Sequence, residues 1–276
     1  MRDISDGSGR YAAANGGKRG GGGKDGGKDR ERAFWNGRAA DFPRWSSVDN
    51  AYERGMLETI RRLGADFRGR TVLDVGAGSG QYTLEIAREA DKVTALDISE
   101  EMLRLSRLDA ESLGVSNIDY AVSDWEGYEP EEAFDVVFCM MSPAARDDPS
   151  REKLFACARE TVVVTGFAKS RPAAGLADML GRRGLRPKEM RNGPEMREFL
   201  DRTGRRYRWE LKEGVWRIPY TREKYAGMLR SFLEDYGVNP DSGEVEEAAA
   251  GLDPDGAGDF VVERPYAVEV IVSPAR

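Results

Sequence analysis

The spacing of apolar positions in the middle of the chain switches repeatedly between two periods, which predicts alternating strands and helices. Short apolar runs bounded by glycine or polar residues are typical of buried strands, and apolar residues at 3–4 spacing are typical of amphipathic helices. Because continuous apolar strands separated by helices form parallel sheets with helices on both faces, we predict an α/β fold. The predicted strands are 71–75, 92–96, 117–122, 134–140 and 161–167, and the predicted helices are 79–90, 100–113, 150–159 and 172–183.

The N-terminal part of the chain lacks this alternation. Residues 1–30 are rich in glycine and charged side chains, a composition that buries little apolar surface, so we predict a disordered tail. Residues 31–276 then form the folded domain. Apolar residues at helical spacing over 49–63 predict N-terminal cap helices within 31–64.

The C-terminal third predicts two further strands, 207–218 and 260–272, from its aromatic and β-branched positions. We expect these strands to form an antiparallel pair, interrupted by a helical insertion at 219–258. Together with the five earlier strands they make a seven-stranded sheet that is mostly parallel, with an antiparallel strand at its C-terminal end.

The amino-acid composition excludes several kinds of catalytic and metal-binding site. The 276 residues contain no histidine and two cysteines, which excludes histidine bases, histidine zinc sites and a disulfide framework, and we predict no metal. The net charge of −7 argues against nucleic acid as the main partner. No apolar run is long enough for a membrane span and no apolar signal segment opens the chain, so we expect a cytoplasmic protein without a membrane partner.

A glycine-rich loop after the first predicted strand is the main candidate for chemistry. Gly76, Gly78 and Gly80 follow Asp74 closely. Glycines allow a sharp turn and a close approach of ligand to backbone, and ligands of open α/β sheets lie beyond the carboxyl ends of the strands. Dinucleotide binders have the spacing G-x-G-x-x-G, whereas the third glycine here comes one residue earlier and Gln81 takes the usual position. The Asp74 carboxylate would repel a pyrophosphate but not a cationic ligand that carries an amino acid group.

This loop resembles motif I of the class I S-adenosylmethionine-dependent methyltransferases, and three later segments resemble further motifs in the expected order. Asp97 ends the second strand, where the family acid accepts hydrogen bonds from both ribose hydroxyls. Asp124 and Trp125 follow the third strand, where the family places an acid at the adenine amino group and an apolar residue against the ring. Residues 134–140 resemble the motif on strand four. The resemblance covers about 53–168 and implies a Rossmann-like methyltransferase sheet.

The resemblance also implies the cofactor and its site. The cofactor would be S-adenosylmethionine, with S-adenosylhomocysteine as product. A structural role remains open for some positions: Trp125 as core, Asp97 as a helix N-terminal acid, Asp124 as a plain loop carboxylate. The implied cofactor-binding residues are Asp74, Gly76, Ala77, Gly78, Gly80, Asp97, Ile98, Ser99, Asp124, Trp125 and Met140.

The resemblance further implies in-line transfer of the sulfonium methyl group to a small-molecule acceptor. The protein then mainly positions and desolvates the reactants, so no catalytic side chain is identified. After strand four the chain has Met-Met-Ser-Pro-Ala at 140–144, where methyltransferases of adenine or amide nitrogen carry Asn/Asp-Pro-Pro-aromatic, and this departure argues against those substrates. The aromatic candidates could instead be core or helix-packing residues, and Arg146 could instead be a solvated loop residue. The candidate acceptor-binding residues are Met141, Ser142, Arg146, Trp35, Trp216 and Tyr220.

Other functions stay open at this point. A non-catalytic nucleoside-binding or regulatory protein could use the same fold, and the acceptor could be a macromolecule. A nicotinamide-dependent oxidoreductase is disfavoured by Gln81 and Asp74. The sequence is compatible with a monomer or a homodimer.

Overall fold

The computed structural model describes residues 24–46, 50–169, 172–253, 256 and 258–276. The chain divides into two compact units. The larger, here called the sheet unit, contains the described residues of Gly20–Ala168, Arg191–Lys212 and Val268–Arg276. The smaller, here called the accessory unit, contains those of Lys169–Met190 and Glu213–Ala267.

Strands of the described chain form one seven-stranded sheet in the order β3-β2-β1-β4-β5-β7-β6. Strands β1 to β5 pair in parallel, and β7 runs antiparallel to β5. The predicted fold class, a mostly parallel sheet with an antiparallel C-terminal strand, is confirmed. The strands are β1 (Thr71–Val75), β2 (Lys92–Asp97), β3 (Ile118–Val122), β4 (Phe134–Met140), β5 (Ala158–Phe167), β6 (Arg208–Thr221) and β7 (Asp259–Pro274).

Helices cover both faces of the central strands. Successive strand residues point to opposite faces, and the consecutive residues 136–140 of β4 are all buried, so neither face of this strand meets solvent. The helices are α1 (Lys24–Arg38), α2 (Ala51–Leu63), α3 (Gln81–Ala87), α4 (Glu100–Leu113), α5 (Asp148–Ala156), α6 (Leu176–Gly181), α7 (Asn192–Arg202), α8 (Arg222–Glu234) and α9 (Ser242–Ala250). None of the helices in the described ranges combines the length and apolar character that crossing a membrane requires.

Helix α4 shows how the sequence sets element ends. Its N-cap Ser99 accepts a hydrogen bond from the Met102 backbone N–H, and the left-handed Gly114 closes its C-terminus. Its bounds equal the predicted 100–113. Helix α3 begins two residues later than predicted because Gly80 adopts a left-handed conformation directly before it, and it also ends earlier, at Ala87.

Helices α1 and α7 include residues for which no helix was predicted. Helix α1 begins inside the predicted tail 1–30, so that prediction is wrong for residues 24–30, and residues 1–23 lie outside the described residues. Helix α7 was not predicted; it contains Gly193 and Pro194 in its first turn, where the missing N–H of proline costs no bond.

The accessory unit has a core of its own, formed by helices α6, α8 and α9 with the first half of β7. Helices α8 and α9 fall inside the predicted insertion 219–258. Residues 169–190 group with them. The scheme of one domain with an insertion stays a prediction.

Candidate functional site

The sheet order places a binding crevice at the end of β1. This strand pairs with β2 on one side and with β4 on the other, so the connections leave in opposite directions, and ligands of such sheets bind at this switch point. The loops after β1 and β4 meet there: a Cβ on Gly76 would overlap the side chain of Ser142.

The glycine loop is held in a conformation that needs glycine. Gly76, Gly78 and Gly80 have φ values of 75°, 56° and 84°, in the left-handed region that other residues avoid. A Cβ on Gly80 would overlap Ser106, whereas around Gly78 the nearest atom to a Cβ is on the Phe42 ring at 3.5 Å. Gly76 and Gly80 are therefore fixed by packing, and the backbone at Gly78 remains approachable.

Asp97 lies at the end of β2 and binds this loop. Its Oδ2 accepts from the Gly78 N–H at 2.9 Å, and its Oδ1 accepts from the Ser99 N–H at 2.8 Å. Each carboxylate oxygen has a further lone pair, so Asp97 can accept two more donors. Burial raises the pKa of Asp97 to about 6, against the lowering effect of the two backbone bonds, and the nearby Glu31 raises it further.

Asp74 has a different environment although it belongs to the same motif. It is 2% exposed, and its Oδ2 accepts a hydrogen bond from the Thr83 hydroxyl at 2.5 Å, which ties β1 to α3. Burial raises the pKa of Asp74 to about 7, and the negative Asp97 adds to the increase. Among the described residues the Asp74 carboxylate bonds to Thr83, and its role in cofactor binding stays a prediction.

Helix α1 lies over the segments that the motifs single out. Lys28 Nζ is 2.6 Å from Asp124 Oδ1, and Asn36 Oδ1 accepts from the Ser99 hydroxyl at 2.6 Å. Between them, Arg32 Nε lies 3.4 Å from the Ile98 carbonyl oxygen. The predicted cap helices begin only at residue 31, and the polar face of this helix was not identified from the sequence. A signal was present, because residues 28, 32 and 36 have the four-residue spacing that puts polar side chains on one helix face.

Asp124 keeps one oxygen for another donor. Its Oδ1 also accepts from the Gly127 N–H at 2.9 Å, while Oδ2 has no hydrogen bond among the described residues. Burial works to raise the pKa of Asp124, but the Lys28 and Gly127 hydrogen bonds outweigh it and hold the pKa below its ordinary value.

The neighbouring Trp125 is built into the core. It is 5% exposed and belongs to the apolar cluster beneath the sheet. Its indole N–H donates to the Ser150 carbonyl at 3.0 Å, and the Lys153 ammonium lies 4.9 Å from its ring centroid. A contact between this ring and adenine stays a prediction.

The turn after β4 carries backbone strain. Met141 has φ 51° and is alone among the described non-glycine residues in having a positive φ; such positions cluster at functional sites. Its N–H donates to the Thr165 hydroxyl at 3.1 Å. Ser142 then caps a short 3-10 turn by accepting from the Ala144 N–H. Met140, which ends β4, is buried.

The remaining predicted acceptor residues have partners inside their own units. Arg146 lies 3.5 Å from Glu31 of α1, and Trp35 packs against Phe42 and the small cluster around Met102. In the accessory unit Trp216 stacks on Tyr266 with ring centroids 4.6 Å apart, and Tyr220 meets Tyr225 edge-on. Contact of any of these residues with an acceptor stays a prediction. No group of acid or cysteine side chains suited to a metal ion occurs in the part of the chain that the structure describes.

Comparison with known proteins places the motifs in one family model. Residues 72–166 match the model described as a methyltransferase domain. A ubiquinone biosynthesis O-methyltransferase of Paramagnetospirillum magneticum is 37% identical over 117 residues, which are 39% of this chain and 45% of that protein. The enzyme of the same name from Erwinia tasmaniensis is 42% identical over 105 residues, 37% of this chain and 42% of that protein. The matches thus span less than half of each curated relative.

Solved structures share the fold over most of the chain. Magnesium protoporphyrin IX methyltransferase of Synechocystis PCC 6803 with bound SAH has a TM-score of 0.53 at 15% identity, covering 89% of this chain and 98% of that one. The [4+2]-cyclase SpnF has a TM-score of 0.53 at 16% identity, covering 90% and 96%. At these identities the likeness shows the fold alone.

Proposed function

We propose that this chain, whose residues 72–166 match a methyltransferase domain model, is a class I S-adenosylmethionine-dependent methyltransferase that transfers a methyl group from that cofactor to a small-molecule acceptor. The observation that carries the proposal is the carboxylate of Asp97, held against the Gly78 loop at the switch point of the sheet. The curated relatives are named O-methyltransferases, which favours a hydroxyl oxygen as acceptor. We also propose that the protein works in the cytoplasm as a monomer or homodimer.

The residues present fit the cofactor. Asp97 retains a lone pair on each oxygen beyond its two backbone bonds, which suits the paired hydroxyls of a ribose. Asp124 Oδ2 is available for an adenine amino group while Oδ1 stays with Lys28. The open backbone at Gly78 allows a ligand close to the main chain. When bound, S-adenosylmethionine supplies an activated methyl group that needs no metal and no protein nucleophile.

The chain's own residues then bind, orient and exclude water. Asp97 and Asp124 fix the two ends of the nucleoside, and helix α1 covers them through Lys28 and Asn36. Holding two reactants in line can lower the barrier by about 7–11 kcal/mol. Beside Met141 the turn after β4 borders the same switch point, and the acceptor residues we propose there are Met141, Ser142, Arg146 and Trp35.

Calorimetric titration with S-adenosylmethionine and S-adenosylhomocysteine tests the cofactor part. Asp97→Ala removes two charge-assisted hydrogen bonds of about 1.5 kcal/mol each, so its affinity should fall about a hundredfold. Asp119→Asn is the matched control, because Asp119 is an exposed acid on the adjacent strand whose ion pair is with Lys92. Absence of wild-type binding at millimolar ligand would overturn the proposal.

A second candidate is a protein that binds the nucleoside on this fold without transferring methyl groups. This candidate stays open because the cyclase SpnF, which shares the fold, is named for a reaction other than methyl transfer. Production of S-adenosylhomocysteine with a panel of phenols, catechols, amines and carboxylic acids distinguishes the two. Turnover of any acceptor supports transfer, whereas intact binding without turnover on the panel, and then on macromolecular acceptors, supports the second candidate.

A further inference from the structure

The structure assigns to the accessory unit a binding site for the carboxylate of a small organic acid, with the Arg264 guanidinium as its counter-charge. This inference rests on the proposed function only where the acid is itself the methyl acceptor. It starts from one buried nitrogen of this guanidinium that has no hydrogen-bond partner. Arg264 Nη1 is removed from solvent and has no hydrogen-bond partner, and no carboxylate of the described residues forms an ion pair with this side chain.

Several other arginines of the same unit form ion pairs. Arg183 lies 2.5 Å from Glu244, and Arg222 lies 2.6 Å from Asp253. The acid next to Arg264 in sequence is also engaged elsewhere, since Glu263 pairs with Arg217 at 3.0 Å on the exposed side of the strands. Within the described residues these three arginines of the accessory unit each have a carboxylate, whereas Arg264 has none.

The position of Arg264 on β7 explains its burial. Along this strand residues 260, 262, 264 and 266 are more buried than the residues between them, so Arg264 shares a face with Phe260 and Val262, which pack in the unit's core. Burial lowers the pKa of Arg264, and the nearby Tyr220 and Tyr225 oppose that effect. The Nη1 end of this guanidinium is thus removed from water on a face that it shares with apolar and aromatic groups.

The two tyrosines do not supply the missing anion. The Tyr225 hydroxyl donates to the Ala174 carbonyl at 3.1 Å, and the Tyr220 hydroxyl contacts the Met228 sulfur at 3.3 Å. Burial raises the pKa of Tyr225 to about 12, so this phenol stays neutral. An unpaired buried charge is strongly destabilising, and the planar guanidinium matches a carboxylate in a two-point hydrogen bond. Aromatic neighbours favour an acid with a flat, apolar body.

The test uses benzoate and its neutral counterpart benzamide as probes on the whole protein, without cofactor. We expect calorimetry to show benzoate binding at least tenfold more tightly than benzamide, a preference that Arg264→Met should abolish and Arg264→Lys should partly retain. Arg217→Met is the matched control, because Arg217 is an exposed, paired arginine on the neighbouring strand, and it should bind benzoate as the wild type does.

Thermal unfolding separates this role from a structural one. Arg264→Met removes an uncompensated charge, so its melting temperature without ligand should equal or exceed that of the wild type, and added benzoate should stabilise the wild type alone. Equal affinity for both probes, unchanged benzoate binding by Arg264→Met, or a lowered melting temperature of Arg264→Met would each overturn the inference. Titration of the same variant with S-adenosylhomocysteine keeps this result separate from failure of the cofactor proposal.

Methylation assays distinguish two roles for the bound acid, methyl acceptor or effector. Hydroxybenzoates that bind through Arg264 and are methylated identify the acid as the acceptor. Acids that bind through Arg264 without being methylated, and that change the rate on another acceptor, identify it as an effector. Both results support the site, and the loss of either effect in Arg264→Met but not in Arg217→Met is the required control.

Discussion

Lowering the pH should weaken the binding of S-adenosylhomocysteine, because the proposed ribose acid titrates within an accessible range. Burial raises the pKa of Asp97 to about 6. The ionised carboxylate accepts hydroxyl donors more strongly than the neutral acid does. The site is therefore competent above that pKa, and competence is lost as the pH falls through it.

The size of the effect follows from the ionised fraction. At pH 8 nearly all Asp97 carboxyls are ionised, and one pH unit below a pKa of about 6 roughly one in eleven is. The apparent dissociation constant is the intrinsic one divided by the competent fraction, so it should rise about tenfold between pH 8 and pH 5. Asp124 should contribute little in this range, since its pKa is held below the ordinary value.

Calorimetry at constant ionic strength measures this dependence directly. Asp97→Asn should bind weakly and with no step near pH 6, because the titrating group is gone. Glu31→Gln should move the step to lower pH, since the negative Glu31 raises the pKa of Asp97. Asp74→Asn should keep the step, which separates the second buried acid of the motif from the first.

The reasoning fails on either of two results. If the wild type bound equally at pH 8 and pH 5, the carboxylate of Asp97 would not be what holds the ligand. If Asp97→Asn kept a tenfold loss over the same range, another group would control the affinity. Asp119→Asn, with its exposed acid on β3, should behave as the wild type at every pH.

Three further changes have expected results. Gly76→Ala should lower stability by more than about 1–2 kcal/mol and weaken cofactor binding, because the new Cβ both strains a left-handed backbone and overlaps Ser142. Gly69→Ala is the control in urea melts, since it has open space around it and should show the backbone strain alone. Lys28→Ala should increase hydrogen exchange in α1 while costing under about 1 kcal/mol of stability, since its pair with Asp124 is partly exposed; unchanged exchange would contradict this. Glu85→Ala should lower stability by about 1–3 kcal/mol in the same melts, because the Trp45 indole N–H and the Asn50 amide N–H lose their acceptor. Unchanged stability would refute this prediction.

The cofactor side of this molecule was predictable because its signals are local. A strand that ends in a glycine turn and a second strand that ends in an acid fix the positions of Gly78 and Asp97 within a few residues of chain, and the parallel sheet then brings the two together. The sequence does not show that Asp74 of the same motif would be buried against Thr83. That difference arises from the packing of α3, which no short motif encodes.

Helices α1 and α7 were missed for another reason. Both helices are stabilised by contacts with the rest of the sheet unit. Helix α1 binds the strand ends through a polar face, and α7 buries Phe199 and Leu200 in the core below the sheet. Most helical stability in proteins comes from such packing and not from intrinsic propensity. The glycines and prolines around both segments, weighed alone, indicate breaks, and only the tertiary contacts outweigh them.

Arg264 marks the limit of prediction from sequence in the accessory unit. Nothing in the order Glu263-Arg264 indicates that the acid pairs with Arg217 while the arginine turns to the opposite face. The alternation of strand side chains separates two neighbours that would otherwise neutralise each other. The proposed role of Arg264 therefore follows from the ion pairs of the folded strands, which the sequence alone does not show.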